Sequence, residues 1–161
     1  AVPRLSRDTY FCRPSVERLR EVSETERAAV HNFQVGRHGF GSIVWSGFTD
    51  VRDLDLDQLV DIGRRYVSVA VSVAEGCEKQ YARRLNKPAT LLLDMRSENS
   101  TRGEGSACLV EILREQCTLQ QASFLSYDED SDVLTVRVDH FSRYGFLDES
   151  DDEQNPSAVD S

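Results

Sequence analysis

The feature that most constrains this chain is a run of alternating residues near its end, V-L-T-V-R-V-D-H-F-S-R-Y-G at positions 133–145. In a β-strand, successive side chains point to opposite faces of the sheet. A strand over the whole run therefore places one set of side chains on the same face, namely Leu134, Val136, Val138, His140 and Ser142. The imidazole and the hydroxyl are therefore expected to share one face.

A histidine beside a serine is a chemically suggestive pair. A serine hydroxyl is a weak nucleophile until a base takes its proton, and histidine is the usual base near neutral pH. The peptide bond nearest to this hydroxyl is its own, between Phe141 and Ser142. Attack on the Phe141 carbonyl would give an ester by an N-to-O acyl shift, and water would then cut the chain once per molecule. The same residues also suit a strand that ends in a half-buried histidine, a serine and a Tyr-Gly turn, without any chemistry.

The distribution of charge divides the chain into a body and a tail. At 161 residues and 39% apolar composition, one domain with tails is expected. The formal charge is -9, but residues 147–161 carry six acidic side chains and no Lys or Arg, which leaves about -3 on the rest. We predict a flexible lead at 1–9, a folded domain at 10–147 and an acidic, disordered tail at 148–161.

Composition also argues against several classes of protein. The only basic cluster is Arg83, Arg84 and Lys87, so direct nucleic-acid binding is not expected. No run of about 18 apolar residues is present, so no membrane association is expected. The four cysteines lack C-x-x-C spacing, which disfavours a zinc site or a disulfide scaffold and favours reduced thiols in a cytosolic or nuclear protein. The three histidines are scattered, and we predict neither a metal nor a cofactor.

The first half of the chain shows short strands and glycine-rich turns. Residues 33–35 and 42–45 have strand composition, and the segment between them, G-R-H-G-F-G, indicates a tight turn or a close backbone approach. A phosphate-binding loop would be followed by a helix, so nucleotide binding is disfavoured here. Asp55 or Asp57 is expected to cap a short helix that carries Leu59, Val60 and Ile62 and ends at Gly63.

The second half alternates in the same way between strands and one helix. Residues 66–74 form the clearest strand, and residues 89–94 form a largely buried one. The spacing of Leu109, Ile112 and Leu113 predicts a helix over 108–117, and residues 124–127 and 133–140 are expected to form a hairpin. The sequence predicts an α+β domain with a mainly antiparallel sheet of about six strands and three short flanking helices.

Several blocks of sequence, taken in order, resemble one known family. They are Y-F with P-S at 10–15, V-G-R-H-G-F-G-S-I at 35–43, L-D-L-D-Q-L-V at 54–60, L-N-K at 85–87 and H-F-S-R-Y-G at 140–145. These blocks resemble the C-terminal autoproteolytic domain of the nucleoporin 98 family, the GLFG-repeat nucleoporins, over about residues 10–147. The glycine-rich block and the final block are the specific ones.

The resemblance implies a component of the nuclear pore complex, in the nucleus, that acts as an autocatalytic serine endopeptidase on itself. Cleavage between Phe141 and Ser142 would be followed by anchoring of the repeat-bearing nucleoporin to pore scaffold partners, in protein and mRNA transport. Ser142 matches the nucleophile and His140 its base or orienting partner, while Asn86 and Lys87 match polar residues near the site. The partners implied are other nucleoporins, through the groove at the cleavage site, and the protein's own C-terminal fragment.

The sequence departs from the family pattern at two places, and two other functions are considered beside self-cleavage in a nucleoporin. No glycine stands directly before Leu85-Asn86, and Asp94-Met95-Arg96 lacks a following Trp-Pro. A non-cleaving interaction module of the same fold that binds an extended peptide remains an alternative. Another H-F-S self-cleaving module, of the kind found in death-domain proteins, is disfavoured by the glycine block. For a cleaving domain we predict a twisted link between Phe141 and Ser142.

Overall fold

A computed structural model of the chain describes residues 2–69, 84–96, 106–141 and 143–146. Its strands are β1 Tyr10–Arg13, β2 Val30–His31, β3 Gln34–Arg37, β4 Gly41–Trp45, β5 Phe48–Thr49, β6 Val60–Gly63, β7 Tyr66–Val69, β8 Ala89–Asp94, β9 Ser123–Asp128, β10 Val133–Val138 and β11 Arg143–Gly145. Its helices are α1 Val16–Glu21, α2 Glu24–Arg27, α3 Leu56–Leu59 and α4 Ser106–Leu119.

Six of these strands form the main sheet, in the order β1-β3-β4-β8-β10-β9. Every neighbouring pair in this sheet is antiparallel. A second sheet has the order β11-β7-β6, and β2 pairs with β5. The predicted α+β fold with a mainly antiparallel sheet is confirmed. The described residues hold five further short strands outside the main sheet, which the sequence did not separate from it.

The core of the main sheet follows the alternation seen in the sequence. In β8 and β10 every second side chain is buried, and the buried set comprises Ala89, Leu91, Leu93, Leu134, Val136 and Val138. The predicted hairpin is the β9–β10 pair, and the predicted helix is α4, which packs on β9 and buries Leu113 and Cys117. The hairpin therefore forms one edge of the main sheet, and the helix packs on that edge.

The glycine-rich segment makes the turn between β3 and β4 and brings two backbones close together. Gly39 has φ +86° at the turn, where a left-handed conformation favours glycine. A Cβ atom at Gly36 would lie 2.4 Å from Cζ of Phe11 and 2.9 Å from Cβ of Ser42. The aromatic ring of β1 thus occupies the space that a larger residue would need, in agreement with the close approach predicted from sequence.

The helix predicted from a cap at Asp55 or Asp57 to Gly63 is wrong in its second half. Helix α3 ends at Leu59, and Val60–Gly63 forms β6, which pairs with β7. Asp55 is the N-cap residue, although its side chain makes no capping hydrogen bond. The physical reason for the difference is that Val60 and Ile62 are β-branched and are buried across from Val69 and Val67 of β7.

The first residues of the chain lie against the loop that precedes β6. The Arg4 N–H donates to the Leu54 carbonyl at 2.7 Å, and the Ser6 N–H and hydroxyl donate to the Asp57 carboxylate at 2.9 and 2.8 Å. Arg7 donates from Nη1 to the Val60 carbonyl at 3.0 Å. The prediction of a flexible lead at 1–9 did not anticipate these contacts, because they join positions about fifty residues apart in the chain.

Candidate functional site

The run that organises the sequence changes sheets at the predicted cleavage position. β10 ends at Val138, and Asp139 and His140 form an exposed bend. The chain then enters β11, which pairs antiparallel with β7 in the second sheet. The strand-like run is therefore divided between two sheets. His140, which the alternation placed on the same face as Val136 and Val138, is exposed although both valines are buried. Ser142 lies outside the described residues, as does the predicted twist of its link to Phe141.

Phe141 is held by its ring and by its backbone. Its side chain is 3% exposed, and its ring centroid lies 5.7 Å from that of Trp45 and 6.1 Å from that of Tyr144. Its backbone N–H donates to Oδ1 of Asn86 at 2.7 Å. The structure thus brings together two of the residues that the resemblance assigned to the site, Phe141 and Asn86.

The loop before β8 supplies Asn86 and Lys87. This loop is fixed by Leu85, whose side chain is fully buried and whose carbonyl accepts a hydrogen bond from Nε1 of Trp45 at 2.8 Å. The neighbouring Lys87 donates from Nζ to the carbonyl of Phe48 in β5. Partial burial lowers the pKa of the Lys87 ammonium. Trp45 therefore supports the site twice, through the ring of Phe141 and through the carbonyl of Leu85.

His140 contributes its backbone to the same cluster. Its carbonyl accepts a hydrogen bond from the hydroxyl of Tyr144 at 2.7 Å, and Tyr144 is only 1% exposed. The bond closes a loop from residue 140 to residue 144 around the predicted cleavage position. Sequence reasoning missed this role of Tyr144. The available signal was a tyrosine two residues after the serine in a strand-like run, where a buried hydroxyl needs a partner.

Gln120 holds the segment that follows the predicted cleavage position. Its Nε2 donates to the Gly145 carbonyl at 3.0 Å, and its Oε1 accepts from the Gly145 N–H at 2.9 Å. The side-chain amide thus pairs with a backbone amide on the edge of β11 that faces away from β7. The next residue, Phe146, is fully buried and donates its N–H to the Arg65 carbonyl at 2.9 Å. Nothing in the sequence around Gln120 indicated this contact.

The two sides of the predicted cleavage position are therefore fixed by different parts of the fold. The acyl side is held by Phe141 in the aromatic cluster and by Asn86. The amine side is held by β11, Gln120 and Phe146. This arrangement can keep both segments in place while the bond between them reacts, which is the geometric requirement for an intramolecular reaction.

Within residues 2–69, 84–96, 106–141 and 143–146, no group of three or more His, Cys, Asp or Glu side chains is placed to hold a metal ion. None of the described helices combines the length and apolar composition needed to cross a membrane. Cys12 and Cys117 are buried free thiols, and burial raises the pKa of each to about 11.

The structure defines a small α+β domain, and comparison with known proteins specifies the family. The family model described as Nucleoporin2, Nup98-96 autopeptidase S59, matches residues 7–146. NUP98A of Arabidopsis thaliana is 36% identical over 94% of this chain, and NUP96 of the same organism is 34% identical over 99%. The chain spans 15% of the length of each of these two relatives.

Solved structures show the same fold. The Nup145N APD of Chaetomium thermophilum, a mutant fused to the N-terminal part of Nup145C, matches with a TM-score of 0.65 at 24% identity, over 82% of this chain and 94% of that one. The yeast heterotrimeric Nup82-Nup159-Nup116 complex contains a chain that matches with a TM-score of 0.66 at 16% identity, over 84% of this chain and 98% of that one.

The chain belongs to the Nup98-96 autopeptidase S59 family. It is a nucleoporin domain of the nuclear pore complex, in the nucleus, as the resemblance implied.

Proposed function

We propose that this domain cleaves its own backbone between Phe141 and Ser142 and then anchors the protein that bears it to other nucleoporins. The observation that carries the proposal is the double attachment of Phe141, whose ring is buried against Trp45 while its N–H donates to Asn86. The residue that would supply the acyl group is thereby held in a fixed place next to the serine. Membership of an autopeptidase family gives independent support.

The reaction begins with attack of the Ser142 oxygen on the Phe141 carbonyl carbon, with His140 as the base that takes the hydroxyl proton. The C–N bond then breaks and the proton passes to the Ser142 nitrogen, which leaves an ester between Phe141 and the Ser142 oxygen. Water hydrolyses the ester and restores the hydroxyl. The products are a new carboxylate at Phe141 and a new amine at Ser142, after one turnover.

The fold has to supply energy for this rearrangement, because an ester is less stable than an amide. Backbone strain contributes about 1 to 3 kcal/mol for each distorted element. A donor placed at the developing oxyanion contributes roughly 3 to 4 kcal/mol. Asn86 acts as the positioning residue for Phe141, and Lys87 is the cationic side chain on the same loop. The attachment of both flanking segments makes a twisted link between them sustainable, because neither end is free to relax.

Anchoring uses the groove that receives β11. Antiparallel pairing with β7 gives a backbone template, and the pockets of Tyr144 and Phe146 give side-chain specificity, which is the usual form of strand addition. The C-terminal fragment from Ser142 onward would remain there after cleavage, and a segment of another nucleoporin would bind in the same way. A matching solved chain is part of a complex of three nucleoporins, which is consistent with partners of this class.

One observation favours a second function. The contacts of residues 143–145 with β7 and with Gln120 are made by groups that take no part in the proposed cleavage. A non-cleaving module could therefore bind an extended peptide with the same groove. Such a module would stay intact and would still bind a peptide that carries an R-Y-G-F segment.

The deciding experiment is intact-mass analysis of the full chain after expression and native purification. We expect two products, residues 1–141 and residues 142–161, from the wild type, and a single chain from Ser142→Ala. Ser126→Ala, an exposed serine in β9, is the matched control and should cleave like the wild type. His140→Ala should slow the reaction. A wild-type chain that is folded but intact would contradict self-cleavage and favour the binding module.

Hydroxylamine separates the proposed route from direct hydrolysis. If an ester accumulates, hydroxylamine will accelerate the cut and leave a hydroxamate on Phe141, which mass spectrometry detects. If only a carboxylate forms on Phe141 and the cleavage rate does not change with hydroxylamine, the acyl-shift route is contradicted. The position of the cut, between Phe141 and Ser142, would still stand.

A further inference from the structure

A cavity lies at the turn between β3 and β4, against the ends of β8 and β10. Its volume is about 340 Å³, and its wall includes Phe11, Arg37, Phe40, Asp94 and Arg96. The described wall contains none of the residues assigned to the cleavage site. The cavity combines aromatic rings with guanidinium groups, which is the composition of a surface that binds anionic ligands.

The guanidinium groups are set in place by stacking and by backbone carbonyls. Arg37 lies 3.8 Å from the centroid of the Phe40 ring and donates from Nη1 to the Ile62 carbonyl at 2.8 Å. Arg64, at the rim, lies 5.7 Å from the same ring and donates to the Arg96 carbonyl at 3.2 Å. Both side chains therefore have defined positions that do not depend on a carboxylate.

The charges at this cavity do not balance. Arg96 forms a bidentate ion pair with Asp94. Among the described residues, neither Arg37 nor Arg64 forms an ion pair with a carboxylate. The Nε atom of Arg37 is buried and has no hydrogen-bond partner among the residues that the structure describes. A buried donor of this kind is costly unless a ligand or water satisfies it, and Arg37 is one of the residues that line the cavity.

The sequence that follows Phe146 is acidic. Phe146 donates its N–H to the carbonyl of Arg65, which is the neighbour of Arg64 in the turn between β6 and β7. The next residues in sequence are L-D-E-S-D-D-E at 147–153, with five carboxylates in the last six positions. Six residues in extended form span roughly 20 Å. The first acidic residue, Asp148, is therefore two positions after Phe146, which is hydrogen-bonded to the residue next to Arg64.

We propose that the acidic segment 148–153 of the same chain binds in this arginine-lined cavity. Its carboxylates accept hydrogen bonds from the guanidinium groups of Arg37 and Arg64, which are the geometry-matched donors for carboxylates. The contact goes beyond self-cleavage and does not depend on it, because the segment reaches the cavity from Phe146 whether or not residues 141 and 142 are joined. In a cleaved molecule it would add a second point of attachment for the fragment that begins at Ser142.

The test uses the full chain with Ser142→Ala in every variant, so that the state of cleavage is the same throughout. The amide signals of Gly39 and Gly41, which line the cavity, are followed by NMR, together with their hydrogen exchange. One variant replaces the five carboxylates at 148, 149, 151, 152 and 153 by their amides. A second carries Arg64→Glu, and its matched control carries Arg20→Glu, an exposed arginine on α1 with the same change of charge.

We expect both the neutral tail and Arg64→Glu to move the two glycine signals and to lower their protection about threefold, the scale of one or two exposed ion pairs. The combination should add nothing further, and about 1 M salt, where charges are screened within about 3 Å, should reproduce the change in the parent chain only. Unchanged glycine signals in the neutral-tail variant would overturn the proposal. An equal shift with Arg20→Glu would also overturn it, because the effect would then follow net charge alone.

Discussion

Replacing Asn86 by alanine removes the acceptor for the Phe141 N–H, the 2.7 Å hydrogen bond that fixes the backbone beside the proposed cleavage position. The Phe141 ring remains in its pocket against Trp45, since no atom of that pocket changes. The carbonyl of Phe141 then gains freedom to rotate about an anchored ring. We expect slower self-cleavage, because a smaller fraction of folded molecules holds the carbonyl in the position that the serine oxygen attacks.

The magnitude follows from the bond and its exposure. Asn86 is exposed and the Phe141 N–H is partly buried, so the net value of the bond is about 0.5 to 1.5 kcal/mol. At 1.4 kcal/mol per factor of ten, the reactive fraction falls by about 2- to 12-fold. The same loss should appear as a drop of about 0.5 to 1.5 kcal/mol in the free energy of unfolding, measured by urea denaturation in the Ser142→Ala background.

Asn86→Asp is the matched control, since a carboxylate keeps an acceptor at the same place while it replaces the NH₂ group by a second, negatively charged oxygen. The rate of appearance of the fragment 142–161, followed by mass spectrometry after refolding, should be close to the wild type for Asp and lower for Ala. If Asp is as slow as Ala, the NH₂ group matters and the accepting role assigned here is wrong. If Ala cleaves at the wild-type rate, the hydrogen bond does not position the carbonyl.

Two further predictions concern other parts of the domain. Gln120→Ala removes two hydrogen bonds to Gly145, so the fragment that begins at Ser142 should dissociate about tenfold faster, as measured by size exclusion of a cleaved, labelled chain. Gln120→Glu keeps one acceptor, and its dissociation rate should fall between those of the wild type and Gln120→Ala. Equal dissociation rates for all three chains would show that Gln120 does not hold the fragment. Although burial alone would raise it, the pKa of the Asp57 carboxyl lies below its usual range because Ser6 and Arg7 donate to it. A depressed folded pKa gives stability that is present above the unfolded value of about 3.9 and is lost as the pH falls through the folded value. Asp57→Asn should therefore flatten thermal stability against pH below about pH 4, and an unchanged slope would exclude this carboxylate as the cause.

The elements that sequence predicted best are those whose signals are local. The β9–β10 hairpin has alternation on both sides of an acidic turn, and α4 has apolar residues at helical spacing. The turn between β3 and β4 was marked by its glycines. In each case the deciding contacts lie within about twenty residues, so the pattern and the structure report the same interactions.

The elements that sequence mispredicted depend on distant partners. Val60 and Ile62 suit either a helix or a strand over so short a span, and pairing with β7 decides for the strand. The alternation through residue 145 reports which face a side chain occupies, but not which sheet the strand joins. The alternation placed His140 on the same face as Val138, whereas burial of Tyr144 in the second sheet requires a bend before it, and His140 is exposed in that bend.

The candidate site shows the same division. Ser142, His140 and Phe141 are adjacent in sequence, so a motif was enough to select them for a prediction. Asn86 and Lys87 were selected only through the resemblance, since a loop about fifty residues away carries no local mark of its partner. The roles of Tyr144 and Gln120 depend on distances across the fold, which no spacing in the sequence encodes.

The change of sheet explains why a cut at this position is compatible with a stable domain. Phe141 belongs to the aromatic cluster beside the main sheet, Tyr144 belongs to the second sheet, and Phe146 follows directly after that strand. Each of the three side chains is fully or almost fully buried. Burial of an aromatic side chain contributes about 1.5 to 3 kcal/mol, so both segments keep most of their attachment when the bond between them is broken. A bond between two fixed segments is also one on which a twist can be imposed without unfolding either end. Substitutions that loosen either attachment should therefore slow cleavage even though they leave the serine and the histidine in place.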